Sequence, residues 1–189
     1  DADELEAADR ARLIEKTKAM GLYGLDIPPA FGGPDIDLVT RTLMAVEMAQ
    51  HRAGLYAPCY GTFGGAGLAQ LFEATDEQKD KYLYPTLRGE KRGFFGLSEP
   101  SGGSDPARAI QTKAVQDGDD WIINGGKLWI SGADKAQYGL VFARTANDKG
   151  RNGVTCFIVD TDTPGFAVRR IVHTLRSAHY ATELSFEDM

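Results

Sequence analysis

Phe94-Phe95-Gly96-Leu97-Ser98-Glu99-Pro100-Ser101-Gly102-Gly103-Ser104-Asp105-Pro106 is the stretch on which the reading of this chain turns. An apolar run ends in a turn that holds two adjacent glycines and several hydroxyl and carboxyl groups. Adjacent glycines expose successive backbone N–H groups, and such concavities hold anions or carbonyl oxygens. Ser98 and Ser104 add hydroxyl donors. Ordinary turn chemistry, in which Ser98 or Asp105 caps the local backbone, accounts for the same residues.

The stretch also marks a change of pattern. Before residue 92 the signals are helical. Apolar residues at Val39, Leu43, Val46, Ala49 and Ala53 fall on one helical face, with Asp37 as N-cap. Glu4–Met20 reads as a weaker amphipathic helix that stops at Gly21. Thr75-Asp76-Glu77-Gln78 has capping-box spacing, so a helix starts there. Pro85 predicts a break followed by one last short turn. Ile27-Pro28-Pro29 and Phe31-Gly32-Gly33-Pro34 read as an ordered loop.

After residue 92 short strands alternate with turn signals. The predicted strands are Phe94–Leu97, Thr112–Gln116, Trp121–Asn124, Lys127–Ile130, Leu140–Ala143, Thr155–Asp160 and Glu183–Phe186. Asp117-Gly118 and Asn124-Gly125-Gly126 read as hairpin turns. Asn147–Gly153 reads as a polar loop and Thr163-Pro164-Gly165 as a turn. The expected fold class is α+β. An all-helical N-terminal domain, residues 1–91, precedes an antiparallel β-barrel or sandwich domain, residues 92–189.

Composition narrows the function classes. The chain has 189 residues, 42% hydrophobic and 25% charged, which excludes a disordered, coiled-coil or collagen-like chain. A chain of this size buries roughly 70% of its extended surface, enough for a real core. With 21 basic against 27 acidic residues the net charge is −6, so there is no basic footprint for nucleic acid. No apolar run approaches the ~20 residues of a membrane span. The start, Asp1-Ala2-Asp3-Glu4-Leu5, is acidic and unlike a secretory signal. It lacks an initiator Met, which predicts a trimmed or excised chain. Two cysteines, Cys59 and Cys156, make no disulfide framework and fit a reducing compartment.

Several chemistries lack their residues. His51, His173 and His179 do not have metal-site spacing, so no metal centre is expected. Gly96-Leu97-Ser98-Glu99-Pro100 is not a nucleophile elbow. Gly125-Gly126-Lys127 is followed by Leu128, so it is not a Walker loop, and no dinucleotide fingerprint occurs.

A second informative segment is Trp121-Ile122-Ile123-Asn124-Gly125-Gly126-Lys127-Leu128-Trp129-Ile130-Ser131-Gly132. Read alone it is a hairpin whose tryptophans belong to a core. The alternative is an aromatic platform beside a planar ligand. Strand alternation puts Ser131 on the same side as Trp129. An indole and a hydroxyl on one face suit a planar, hydrogen-bonding ring.

Taken together, the two segments resemble the acyl-CoA dehydrogenases. Gly96–Asp105, G-L-S-E-P-S-G-G-S-D, is similar to the family's first signature. Asn124–Ser131, N-G-G-K-L-W-I-S, is similar to its Asn-Gly-x-Lys-x-Trp-Ile-Thr/Ser run. The likeness extends to Gly24-Leu25-Asp26-Ile27-Pro28 with Phe31-Gly32-Gly33, Glu77-Gln78-Lys79 with Tyr82-Leu83, Pro164-Gly165-Phe166, and Glu183–Asp188. Phe95 stands where Tyr is frequent, Arg108 where a small residue is common, and His173–Ser177 departs from the usual Lys-x-Gly-x-Arg run.

The resemblance implies a helical first domain, a β middle domain and FAD as cofactor. It implies that the backbones of Phe95 and Leu97, and the backbone and hydroxyl of Ser98, meet the flavin ring. By the same analogy Ser104 reaches the pyrophosphate, Trp129 lies against the ring, and Ser131 faces it near the reactive nitrogen. The implied reaction is α,β-desaturation of an acyl-CoA thioester, with an electron-transferring flavoprotein as acceptor and a homo-oligomer, tetramer or dimer, as the whole protein. The base comes from a C-terminal helical domain in the family, so no catalytic residue is assigned here and the base is expected beyond Met189. Glu99, inside the motif, is read as structural at the turn. Arg52 reads first as a solvated helix-end residue, although it lies near where some relatives hold a substrate carboxylate. An acyl-CoA oxidase, a flavin monooxygenase and a non-catalytic flavin- or CoA-binding scaffold are the alternative readings. The expected location is cytoplasmic or the mitochondrial matrix, without a membrane.

Overall fold

The computed structural model describes residues 5–48, 50, 62–146, 153–173 and 181–189. These fall into two compact units, one up to Glu90 and one from Lys91 onward. The expectations for Ala49, His51, Arg52, Ala53, Cys59 and His179, and for most of the polar loop 147–153, lie outside the described residues, as does the run that follows His173.

The first unit is helical. Helix α1, Ala7–Ala19, ends where the Met20 N–H donates to the Lys16 carbonyl, 3.1 Å. A 3-10 turn at Pro29–Phe31 orders the expected loop, and Phe31 packs on Phe72 with ring centroids 4.5 Å apart. Helix α2 spans Leu38–Met48. The Asp37 carboxylate caps it, accepting from the N–H groups of Val39, 2.9 Å, and Thr40, 3.0 Å. The apolar face expected of this helix is present but uncovered, because Val39, Leu43 and Val46 are all exposed.

Helix α3, Asp76–Gln78, starts at the predicted capping box. The Thr75 hydroxyl accepts from the Gln78 N–H, and the Gln78 side chain accepts from the Thr75 N–H. Pro85 does open the expected last short turn, standing in the first turn of a four-residue helix, but no break precedes it. A π turn at Lys79–Leu83 leads straight into α4, Tyr84–Leu87. The wider turn makes room for a ring that would otherwise meet the carbonyl four residues back. Among the described residues, Ile27, Leu71, Tyr82, Leu83 and Leu87 are the buried apolar side chains of this unit.

Among the described residues the second unit is a curled sheet of seven strands: β1 Gly93–Gly96, β2 Lys113–Asp117, β3 Asp120–Ser131, β4 Tyr138–Arg144, β5 Val154–Asp160, β6 Phe166–Val172 and β7 Ala181–Phe186. A short helix α5, Pro106–Ala109, lies between β1 and β2. The pairing is mostly antiparallel, but the expectation of a purely antiparallel domain is corrected: β1 and the start of β2 both run parallel to β4. Strand β4 carries β5 along one edge, and β1 and the start of β2 along the other. The core is built from Phe94, Ala114, Ile123, Ile130, Val141, Leu184 and Phe186, among others.

The hairpin expected at Asn124-Gly125-Gly126 does not form. Strand β3 runs unbroken for 12 residues. Its first part pairs with β2 and its second part, from Gly125, with β7. The glycines therefore mark a corner at which one strand passes between partners, as bends in barrels and orthogonal sheets do. Gly125 has φ 148°, and a Cβ there would lie 2.6 Å from the Thr112 hydroxyl. The other hairpin forms as expected: Asp117 pairs with Asp120 across a two-residue loop whose first member, Gly118, has φ 63°. Strand β6 has no counterpart in the sequence reading, because a register shift between Val168 and Arg170 spoils its alternation.

Candidate functional site

The site grows from the end of β1. Phe94 points into the core, and Phe95 is exposed with its ring 5.0 Å from that of Phe142. The chain then leaves the sheet. The Ser98 carbonyl accepts from the Leu128 N–H, 3.0 Å, which ties the strand end to β3 beside Trp129. A turn closes at once: Glu99 N–H donates to the Gly102 carbonyl and Gly102 N–H donates to the Glu99 carbonyl. The turn brings Gly103 back, so that a Cβ on it would lie 3.7 Å from the Ser98 hydroxyl oxygen. Ser98 thus stands between the neighbour of Ser104 and the neighbour of Trp129.

Beneath this rim lies a buried ion pair. The Lys127 side chain is 0% exposed, and its Nζ meets Glu99 Oε1 at 2.7 Å. The same ammonium donates to the carbonyls of Phe142, 2.6 Å, and Leu97, 3.4 Å. Glu99 also accepts from the N–H groups of Thr112, 3.0 Å, and Gln111, 2.7 Å. Burial by itself pushes the Glu99 carboxyl upward, but the Lys127 ammonium and these amides outweigh it and hold the group below its ordinary value. Burial pulls Lys127 below its ordinary value against the attraction of Glu99. Glu99 is therefore spent on structure and is not available as a base, as the sequence implied.

Trp129 departs from strand alternation. Leu128 pairs with Glu183 and Ile130 with the next residue along, Thr182, so Trp129 is the extra residue of a β-bulge. It has φ 65°, and the residue is 56% exposed. Without the bulge Ile130 would turn outward; with it, Lys127 and Ile130 are both buried, three residues apart. The expectation that Trp129 and Ser131 share a face through simple alternation is thus corrected. Both are exposed, but Ser131 sits opposite Ala181 in the new register, in phase with Leu128. Trp121, the other tryptophan, lies against Phe157 with centroids 5.4 Å apart.

What the rim leaves unspent is as informative. Among the described residues, the hydroxyls of Ser98, Ser104 and Ser131 and the indole N–H of Trp129 have no hydrogen-bonding partner. Neither has the backbone N–H of Ser98. Ser101, by contrast, donates to the Ala109 carbonyl, 3.1 Å. Strand β1 has β4 on one edge and no described strand on the other. A half-buried hydroxyl, an open strand edge and an exposed indole suit a flat ring with carbonyl and imino edges. The donor set contains no cluster of metal ligands among the described residues.

These features define a class, and comparison with known proteins gives it a name. Residues 94–189 match the family described as "Acyl-CoA dehydrogenase, middle domain", and residues 1–90 match "Acyl-CoA dehydrogenase, N-terminal domain". The chain belongs to the acyl-CoA dehydrogenase family. It is 38% identical over 168 residues to the 3-(aryl)acrylate reductase of Clostridium sporogenes, covering 87% of this chain and 44% of that protein. It is 36% identical over 193 residues to the short-chain specific acyl-CoA dehydrogenase of Clostridium acetobutylicum, covering all of this chain and 50% of that one. A glutaryl-CoA dehydrogenase from Mycobacterium smegmatis, solved in complex with FADH2, superposes with a TM-score of 0.69 at 30% identity, covering 94% of this chain and 44% of that one. The chain spans about half the length of the curated relatives it matches.

Proposed function

We propose that the whole protein is an FAD-dependent acyl-CoA dehydrogenase that introduces an α,β double bond into an acyl-CoA thioester, and that the β unit described here supplies the flavin's resting place. The observation that carries this reading is the position of Ser98, whose unpartnered N–H and hydroxyl lie between the glycine turn and the bulged, exposed Trp129. When bound, the flavin would supply the hydride acceptor for the β-hydrogen. The chain's own part is to hold it: Phe95, Leu97 and Ser98 along one edge, Trp129 and Ser131 against the ring, and Ser104 toward the pyrophosphate. Donors at the carbonyl edge stabilise charge gathered on the reduced ring, which is how a protein tunes such a cofactor.

The glutaryl-CoA dehydrogenase complex with FADH2 supports the cofactor. A relative titled as a subunit of a caffeyl-CoA reductase–Etf complex, 31% identical, supports an electron-transferring flavoprotein as the redox partner. A homo-oligomer remains part of the proposal for the whole protein. No helix among the described residues is long and apolar enough to cross a membrane, and the bacterial relatives favour the cytoplasm.

A second reading has its own support, since two relatives are named as reductases. There the same site runs toward saturation of an enoyl or acrylate bond. Mixing the whole protein anaerobically with saturated acyl-CoAs distinguishes the directions. Bleaching of the flavin band is expected for the dehydrogenase. Re-oxidation of the photoreduced flavin by an unsaturated substrate alone would favour the reductase. Rapid re-oxidation in air would favour an oxidase, and no response to any acyl-CoA would favour a scaffold.

A further inference from the structure

We propose that the buried Glu99–Lys127 pair is a positioning device for the flavin, aiming the Ser98 N–H outward by holding the carbonyl on the other side of the same peptide. This rests on the flavin reading above. The Lys127 ammonium sits at the meeting of three strands: its own β3, the end of β1 through the Leu97 carbonyl, and β4 through the Phe142 carbonyl. In a trans peptide the carbonyl and the following N–H point in opposite directions. Drawing the Leu97 carbonyl toward Lys127 therefore turns the Ser98 N–H away from the interior, and that N–H has no acceptor among the described residues. The next peptide is fixed separately, by Leu128 N–H on the Ser98 carbonyl.

Glu99 completes the device from below. It neutralises the ammonium at 2.7 Å and takes the N–H groups of Gln111 and Thr112, so the base of the turn is tied to the start of β2. Phe142 links the pair to the rim a second way. Its carbonyl is held by Lys127, while its ring supports the exposed ring of Phe95. Neither charged side chain reaches the surface, so neither touches a ligand. They are positioning residues. A pair needed only for stability could be replaced by neutral groups of similar shape at little cost, because buried ion pairs return little beyond their own desolvation. The same replacement releases the Leu97 carbonyl.

The double variant Glu99→Gln/Lys127→Met in the whole protein separates the two roles, because it leaves no unpaired charge. FAD affinity is read from flavin fluorescence, well below the melting temperature of either protein. The expected result is a cooperative melt, FAD binding weakened about 10-fold or more, and a visible flavin band altered in shape. An FAD Kd within about twofold of the parent, with a superimposable spectrum, would overturn the proposal. So would a double variant that does not fold, since the pair would then be required for the fold itself. Failure of the unaltered protein to bind FAD would overturn the flavin reading. Normal FAD binding by both proteins would leave that reading standing and remove this one.

Discussion

Trp129 holds φ at 65°, a conformation that costs a large side chain on the order of 1–3 kcal/mol. The bulge that imposes it also buries Ile130, so the strain is held in place by the core. Trp129→Gly removes the strain and the indole together. The expected outcome is a chain no less stable than the parent, by roughly 1 kcal/mol in its favour, yet with weakened FAD binding. Thermal melts set beside flavin titrations check both halves; a lower melting temperature would mean that the indole packs rather than waits for a ligand. Lys127 makes the opposite case. Lys127→Met alone leaves Glu99 charged and buried without its partner, which costs about 3–5 kcal/mol in such sites, measurable by urea unfolding.

The pH behaviour of the same pair has a definite sign. Glu99 is held below its ordinary value, so the unfolded chain binds that proton more readily than the folded one. Its contribution is complete above the ordinary value of 4.5 and is lost as pH falls through the depressed one. The stability gap between parent and Glu99→Gln is therefore expected to narrow on acidification below about pH 4.5. A gap that widened with acid would contradict the assignment of a charged Glu99. Because Lys127 is also pulled below its ordinary value by burial, the pair returns little net stability and is costly mainly to break.

At the scale of elements, the glycine corner of β3 shows where sequence reading succeeds and where it stops. Asp117-Gly118 and Asn124-Gly125-Gly126 carry the same turn chemistry, but only the first is a turn. The difference is tertiary: Gly125 lies against Thr112, whose hydroxyl donates to the Gly126 carbonyl at 3.2 Å. Local residues do not announce that approach. Gly125→Val is expected to force the strands apart and cost on the order of 2 kcal/mol or more, since overpacking and an unsuitable φ act together. The capping box was legible because both partners lie within four residues, and Thr75→Ala should cost about 1 kcal/mol in a denaturant titration. The apolar side of α2 was legible too, though not its exposure. The motif residues Ser98, Ser104, Trp129 and Ser131 could be named from sequence, whereas the bulge could not. A bulge is one extra residue relative to a partner strand, and no single strand contains that information.

For the molecule as a whole, the two units bury their apolar residues unequally. In the β unit Leu184 is 1% exposed, between strands that both pair with its own. In the helical unit Leu43 is 65% exposed, on a helix with no buried residue. Leu184→Ala removes a side chain from a closed core and should cost roughly 2–5 kcal/mol through lost burial and the cavity left behind. Leu43→Ala removes a side chain already in water, and in this 189-residue chain the change should stay within about 0.5 kcal/mol. Paired urea titrations of the two variants measure both. A large loss at Leu43 in this chain would mean that the face of α2 is covered after all. If the loss is small in this chain but large in the whole protein, residues outside this chain bury that face, and the cost at Leu43 then measures how much the helical unit depends on them.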